Sequence, residues 1–267
     1  MNRFNLKKII KISAVAVILI FFLAYAVNCS IYYRNRIEVF EVNGVIENFD
    51  MAENLMKIGY DDSVKGVVLR VNSPGGGVYA SRELEKAVKK VKNRKPVVCI
   101  IEDYGASGAY YVASAASYIY AHENSMTLAI GVLAVWVDYS KYNEDKGITY
   151  WVWKSSEEKD FGAPWRPPTE EEKAMLQTQI DLIYNEFIET VAENRNMDIE
   201  TVKKDANGMV YLGKDAALLG YIDSIGTFKD ALEKTEELSK VKKYILVYPE
   251  DTSWDIFKRS LISGFDF

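Results

Sequence analysis

The stretch Val67-Val68-Leu69-Arg70-Val71-Asn72-Ser73-Pro74-Gly75-Gly76-Gly77, echoed by Val97-Val98-Cys99-Ile100-Ile101 leading into Gly105-Ala106-Ser107-Gly108-Ala109-Tyr110-Tyr111, decides the fold of this chain. Each begins as a run of β-branched and aliphatic residues, the pattern of a strand buried on both faces. Each ends in a glycine-rich turn and runs on into a helical pattern. A strand that enters a helix through such a turn presents unpaired backbone N–H groups at a positive helix end, where a developing oxyanion can be held. Ser107, at the mouth of the second helix, reads as a nucleophile placed beside its own oxyanion hole.

Outward from these turns, strands and helices alternate. Ile37–Val42 reads as a first strand turned by Asn43-Gly44, and Met51–Ile58 as a helix leading to Val67–Val71. Ser81 is a candidate cap for a helix in which Leu84, Ala87, Val88 and Val91 recur at helical spacing. Lys95-Pro96 stops that helix before Val97–Ile101. The small-residue segment Ser107–Ser117 suits a helix packed closely on a sheet. Further strands are predicted at Tyr118–Ala121 and Ile148–Trp153, and a helix near Tyr139–Lys146, after an apolar stretch from Ile130 to Val137. Thr169 with Glu172 is a capping box opening a long helix with Leu176, Ile180, Ile183, Phe187 and Val191 on one face. Alternation of this kind predicts an α/β domain with a mainly parallel sheet, flanking helices, and reactive loops at the strand C-terminal ends. Tyr244–Val247 reads as a last strand. Trp254, Ile256, Phe257, Leu261 and Ile262 follow as a loosely amphipathic stretch, with Phe265 and Phe267 beyond it. Such a tail is expected to dock on the core or on a neighbouring subunit; membrane contact or occupation of a neighbour's groove is the lesser alternative.

The N-terminus carries a second signal. Arg3, Lys7, Lys8 and Lys11 precede the uncharged run Ile12–Val27, with Arg34 and Arg36 just after it. The run is long for the core of a signal peptide, although Ala24-Tyr25-Ala26 offers a cleavage site. An uncleaved anchor is the preferred reading. The excess of positive charge before it places the N-terminus in the cytoplasm and the remainder outside. The expected organisation is therefore a cytoplasmic segment 1–11, an anchor 12–27, a stem 28–36, a catalytic domain 37–240 and a tail 241–267. Asn28 stands before Cys29 where an acylation site requires a small residue, and Cys29 and Cys99 read as unpaired small hydrophobes.

With 267 residues, 49% of them hydrophobic, the chain can bury one sizeable core. Its net charge of -5, without a basic stripe, argues against a nucleic-acid surface. The one histidine, His122, follows the Tyr118–Ala121 strand with no orienting carboxylate predicted opposite, so a Ser-His-Asp triad lacks its parts. His122 and two scattered cysteines do not make a zinc site either, and no cofactor is expected. The glycine turns lack phosphate-loop spacing. Lysine remains as the base for a serine, and it must be neutral to act. Lys154 ends the aromatic strand Ile148–Trp153, which could desolvate it. On the residues alone it is only modestly preferred over Lys159, Lys141 and Lys146. Ser107 is favoured over Ser73, which lies in its turn before proline, while Ser114 and Ser117 read as packing residues.

These residues resemble the signal peptide peptidase A family of membrane-bound Ser-Lys proteases, in its short single-domain form, over roughly residues 37–235. The likeness runs through Leu69–Gly77, Ala106–Tyr111, Ile130-Gly131-Val132, Tyr139-Ser140-Lys141, Lys154-Ser155 with Lys159-Asp160, Thr169–Glu172, Gly208–Tyr211 and Ala216–Leu219. It implies a ClpP/crotonase-like fold behind the N-terminal transmembrane helix. It further implies Ser107 as nucleophile, Lys154 as general base, and an oxyanion hole from the N–H groups of Gly108 and of the Gly75-Gly76 turn. The family's members are ring-like oligomers whose serine and lysine come from adjacent subunits, and they cut signal peptides and other membrane-derived peptides. This chain departs from the family pattern at Ala109, where a second glycine is usual, at Ser156, and at Ala129, where a serine that contacts the lysine is expected; Thr127 or Ser125 are candidate substitutes. A scaffold of the same fold without turnover is the rival reading. An acyl-CoA enzyme of the crotonase type shares the paired glycine turns, but needs neither the anchor nor the serine.

Overall fold

The computed structural model describes residues 3–263, with Phe265 and Phe267 outside the described residues. The chain forms two compact units, one from Met1–Leu128 with Val210–Phe267 and the other from Ala129–Met209. In chain order the first unit opens with α1 (Arg3–Arg34), β1 (Arg36–Asn43), α2 (Asp50–Tyr60), β2 (Val64–Ser73), α3 (Val78–Lys92), β3 (Val97–Ala106), α4 (Gly108–Ser114), β4 (Tyr118–Ala121) and β5 (Met126–Leu128). The second unit supplies α5 (Ser140–Asp145), a single 3-10 turn at Glu157–Asp160, α6 (Glu170–Arg195) and α7 (Ile199–Asp205). The chain returns to the first unit with β6 (Val210–Leu212), α8 (Gly213–Leu218), β7 (Ser224–Ile225), α9 (Phe228–Ser239), β8 (Ile245–Val247) and α10 (Ser253–Ser263).

Among the described residues one eight-stranded sheet runs β6-β5-β3-β2-β1-β8, with β4 also paired to β3 and β7 to β4. Every pairing is parallel except β5 with β6. The parallel core follows from the valine-rich strands. Side chains alternate between faces, so Val68, Val98 and Ile100 meet Ala231 of α9 on one side, joined by Phe228 and Leu232. Val67, Leu69, Val71, Cys99 and Ile101 are buried on the other side, where α3 and α4 pack. β3 is forked: Val98–Ile101 pairs with β4, and Tyr104–Ala106 continues past it to pair with β5. That extension carries the chain to Ser107 at the C-terminal end of the sheet, where the strand-turn-helix pattern predicts the reactive loops.

Two sequence expectations, the Ser81 cap and the strand at Ile148–Trp153, need correction. Helix α3 begins at Val78 behind Gly77, so Ser81 lies inside the helix and caps nothing. The stem expected over 28–36 is helical through Arg34. Residues 241–263 dock on their own chain: β8 pairs with β1, and α10 packs on α1. No strand forms over Ile148–Trp153 among the described residues, because this segment finds no pairing partner, and Trp151 and Trp153 are 78% and 86% exposed. The second unit is otherwise helical, and α6 starts at the predicted box. Thr169 Oγ1 accepts from the Glu172 N–H at 3.2 Å, and the Thr169 N–H donates to Glu172 Oε2 at 2.8 Å.

Candidate active site

Three chain segments meet at the end of β2 and β3. Proline at 74 and the Ser73 hydroxyl shape the first turn: the Gly75 N–H donates to Ser73 Oγ at 3.1 Å, and Gly75 takes φ +100°. Gly76 then pairs edge-on with Ile46, whose N–H donates to Gly75 O at 2.9 Å and whose carbonyl accepts from the Gly77 N–H at 2.9 Å. This leaves no room for a side chain at 76, since a Cβ there would lie 2.2 Å from Ile46 O.

The second turn is strained. Ser107 caps α4 with φ 53° and ψ -126°, outside the regions that non-glycine residues favour. It is held there because its N–H donates to Leu128 O at 2.7 Å and its carbonyl accepts from the Tyr111 N–H at 3.0 Å. Leu128, at the end of β5, and Ala129 also have positive φ, 64° and 48°. The two turns touch: a Cβ on Gly75 would sit 2.7 Å from Gly108 N and 2.9 Å from Ser107 Cβ, and one on Gly108 would sit 3.3 Å from Gly76 N. Among the described residues the Gly76 and Gly108 N–H groups donate to no protein acceptor, whereas the Gly75 N–H is engaged by Ser73. Gly75 shapes the first turn, and the N–H groups of Gly76 and Gly108 lie side by side where the two turns touch.

The other serines have structural employment. Ser73 is fully buried, Ser114 Oγ donates to Tyr111 O at 2.7 Å, and Ser117 Oγ accepts from the Val97 N–H at 3.1 Å. Ser81 is the residue that sequence reading missed. Ser81 is 3% exposed; its hydroxyl has no hydrogen-bond partner among the described residues and would lie 2.3 Å from a Cβ on Gly108. It packs under the Ser107–Gly108 turn. Its place one helical turn after Gly77, whose carbonyl accepts the Ser81 N–H, was the only available signal. His122 is exposed, and its imidazole makes no hydrogen bond among the described residues.

Lys154, in the second unit, is not desolvated by an aromatic strand. Its side chain is 34% exposed, and its ammonium donates to Glu157 O at 2.6 Å and Asp160 Oδ1 at 2.9 Å. Asp160 also accepts a two-nitrogen grip from Arg166, at 3.0 and 2.9 Å, while Arg166 reaches Glu172 at 2.7 and 2.6 Å. Hydrogen bonds from Arg166 first, then from Lys154, hold the Asp160 carboxyl far below its usual range. Those from Arg166 and the Thr169 backbone lower Glu172 from 4.5 to about 2. Carboxylates lowered on folding stabilise the network above the unfolded value and lose that contribution as pH falls through the folded one. Acidification from pH 4.5 toward 2 should thus open the 154–172 network. Trp136, whose ring lies 5.6 Å from the Arg166 guanidinium, should report this by fluorescence, and Glu172→Gln should shift the transition upward. Of the candidate substitutes for the serine absent at 129, Thr127 Oγ1 donates to Gly105 O at 2.8 Å and Ser125 Oγ to Ile101 O at 3.1 Å. Both hydroxyl protons are committed to β3.

A mainly parallel sheet whose strands end in two touching glycine turns, with a strained serine at a helix start, defines the ClpP-like class of hydrolase folds. The chain belongs to peptidase family S49, whose profile matches residues 89–242, more than half of it. It is 44% identical over 181 residues to a protein named as a protease in Methanocaldococcus jannaschii, covering 68% of this chain and 58% of the relative. It is 38% identical over 201 residues to one named as the signal peptide peptidase SppA of Enterococcus faecium, covering 74% and 58%. A protein named as a protease in Synechocystis is 32% identical over 200 residues, covering 74% and 72%. The chain thus spans under two thirds of the first two relatives' lengths.

Proposed function

We propose that this chain is a membrane-anchored serine endopeptidase with a Ser107–Lys154 dyad, cutting signal peptides or other membrane-derived peptides. The observation that carries the reading is the strained Ser107 against two unengaged amides, Gly76 and Gly108. Ser107 Oγ attacks the peptide carbonyl as its proton passes to a neutral Lys154 Nζ, and the carbonyl oxygen, now negative, is held by the two N–H groups. Collapse expels the peptide amine, which takes the proton from Lys154. Water, deprotonated by the now neutral Lys154 amine, attacks the acyl carbonyl, and Lys154 returns that proton to Ser107 Oγ as the acyl–oxygen bond breaks and the acid product leaves.

Within one chain Lys154 is an ammonium paired with Asp160, and the aromatic flank leading to it is bare. An exposed apolar segment of this size suits burial against another copy. This favours a homo-oligomer in which adjacent subunits complete each site. Helix α1, apolar and long enough to cross a bilayer over Ile10–Arg34 with mean hydropathy 2.5, fits a single-pass anchor. The charge order around it puts the N-terminus in the cytoplasm and the catalytic domain outside. A second reading, a peptide-binding scaffold without turnover, is favoured by Ala129 and by the engaged hydroxyls of Thr127 and Ser125.

Mixing detergent-solubilised Ser107→Ala and Lys154→Ala proteins, each inactive alone, tests the proposal. Exchange of subunits should restore part of the cleavage of a signal-peptide-like substrate, and wild-type turnover should rise with pH as the lysine loses its proton. Exchange without recovery would overturn the shared site. A flat pH profile would count against lysine as base.

A further inference from the structure

The junction between α1 and α10 has a chemistry that the peptidase reading does not use. Tyr25, Asn28, Cys29 and Tyr32 are the covered positions on the last turns of α1, spaced as one face of a helix, while the residues from Ile10 to Ala24 whose side chains are described are exposed all round. Tyr32 packs with Ile256, Ile245 and Val247. The Tyr25 hydroxyl donates to Leu261 O at 2.8 Å, and Lys243 Nζ donates to Asn28 Oδ1 at 3.2 Å. Since Ile256 lies at the level of Tyr32 and Leu261 at that of Tyr25, α10 runs antiparallel to α1. Its last turn points back along the helix toward the apolar run.

Tyr25 lies within that run, which ends at Val27. A backbone carbonyl such as Leu261 O is an expensive group to bring near lipid unless a donor meets it. The Tyr25 hydroxyl is that donor. Ile262, next in line, is 70% exposed. By contrast the middle of α10 is held in the polar body, where Arg259, just before the last turn, donates to Leu246 O at 2.6 Å and pairs with Asp251.

We propose that the last turn of α10, Ser260–Ser263, is seated in the interfacial layer of the bilayer that α1 enters, with Ile262 as its apolar contact and the Tyr25–Leu261 bond fixing its depth. The membrane then holds the domain at two points, α1 and the end of α10, so its height and tilt over the surface are set. This rests on the reading of α1 as an anchor, and it requires that α1 is not cut after Ala26, since the cut would remove Tyr25.

The test uses the full chain in phosphatidylcholine–phosphatidylglycerol nanodiscs, with an environment-sensitive label on Leu19→Cys, Ile262→Cys or Glu250→Cys, and lipids carrying spin labels at shallow and at deep acyl positions as quenchers, the deep one for residue 19 and the shallow one for residue 262. Labels at 19 and 262 should lose about half their emission or more, while the label at 250, on an exposed loop, should not. Quenching at 19 with 262 behaving like 250 would overturn the proposal and leave the anchor standing. No quenching at 19 would overturn the anchor, and the proposal with it. Tyr25→Phe should reduce quenching at 262 and leave 19 unchanged; if 262 stays as before, the tyrosine does not set the depth.

Discussion

Ser107→Ala should lower peptide hydrolysis by roughly 10⁴-fold or more, because nothing else at the turn can form the acyl bond. The fold should survive the change. Alanine meets the same positive φ of 53° that serine already tolerates, and the two backbone hydrogen bonds that impose it do not involve the side chain. Among the described residues Ser107 Oγ makes no hydrogen bond that the change would remove, so a thermal midpoint close to wild type is expected. Activity and melting therefore separate in this variant. Equal hydrolysis by wild type and variant would place the reaction elsewhere, and a collapse of both would make the result one of folding. Peptide turnover beside calorimetry on the same preparation decides.

Gly75→Ala should do the reverse and damage both together. At φ +100° an L side chain is strained, and its Cβ would fall 2.8 Å from Ala106 O and 2.7 Å from Gly108 N, backbone atoms that cannot rotate aside. Strain and overlap together are expected to cost about 3 kcal/mol or more. For a chain of this size that is a drop of about 6–12 °C in midpoint. Gly44→Ala is the control. Its φ of +70° is also left-handed, but a Cβ there meets nothing within 4 Å, so only the strain of about 1–2 kcal/mol should appear. Since the displaced atom at 75 is the Gly108 amide nitrogen, turnover should fall even at temperatures where Gly75→Ala remains folded. Equal midpoints for the two variants would mean that the turns do not touch as described.

The strands and turns around Ser107 were legible because several local signals agree there: β-branched runs, glycine punctuation and small helical residues. The capping box at Thr169 was legible for the same reason, being a short-range pattern with its own hydrogen bonds. What failed depended on partners far away in sequence. Ile148–Trp153 alternates like a strand, yet a strand exists only where another edge accepts it, and no local pattern supplies that edge. Without the strand, the desolvation expected for Lys154 disappears. Ser81 satisfies the composition of a cap, but Gly77 opens the helix one turn earlier, because the bridge from Ile46 to Gly76 fixes where the chain may begin to coil. The positive φ values of Leu128 and Ala129 leave no mark in composition either, since neither residue type favours them. The docking of α10 on α1 joins the two ends of the described chain, a contact that periodicity does not encode.

Asp160 has one further consequence for the lysine it holds. Its side chain is only 8% exposed, so a carboxylate left there alone would be costly. It is never alone. Arg166 grips both of its oxygens whether or not Lys154 is present, and Arg166 is itself braced by Glu172 at the start of α6. The lysine is thus the detachable member of the group: swinging away, it strands no charge behind it and leaves the arginine clamp intact. A flexible cation tethered in this way can change its surroundings while the scaffold that stored it keeps its shape.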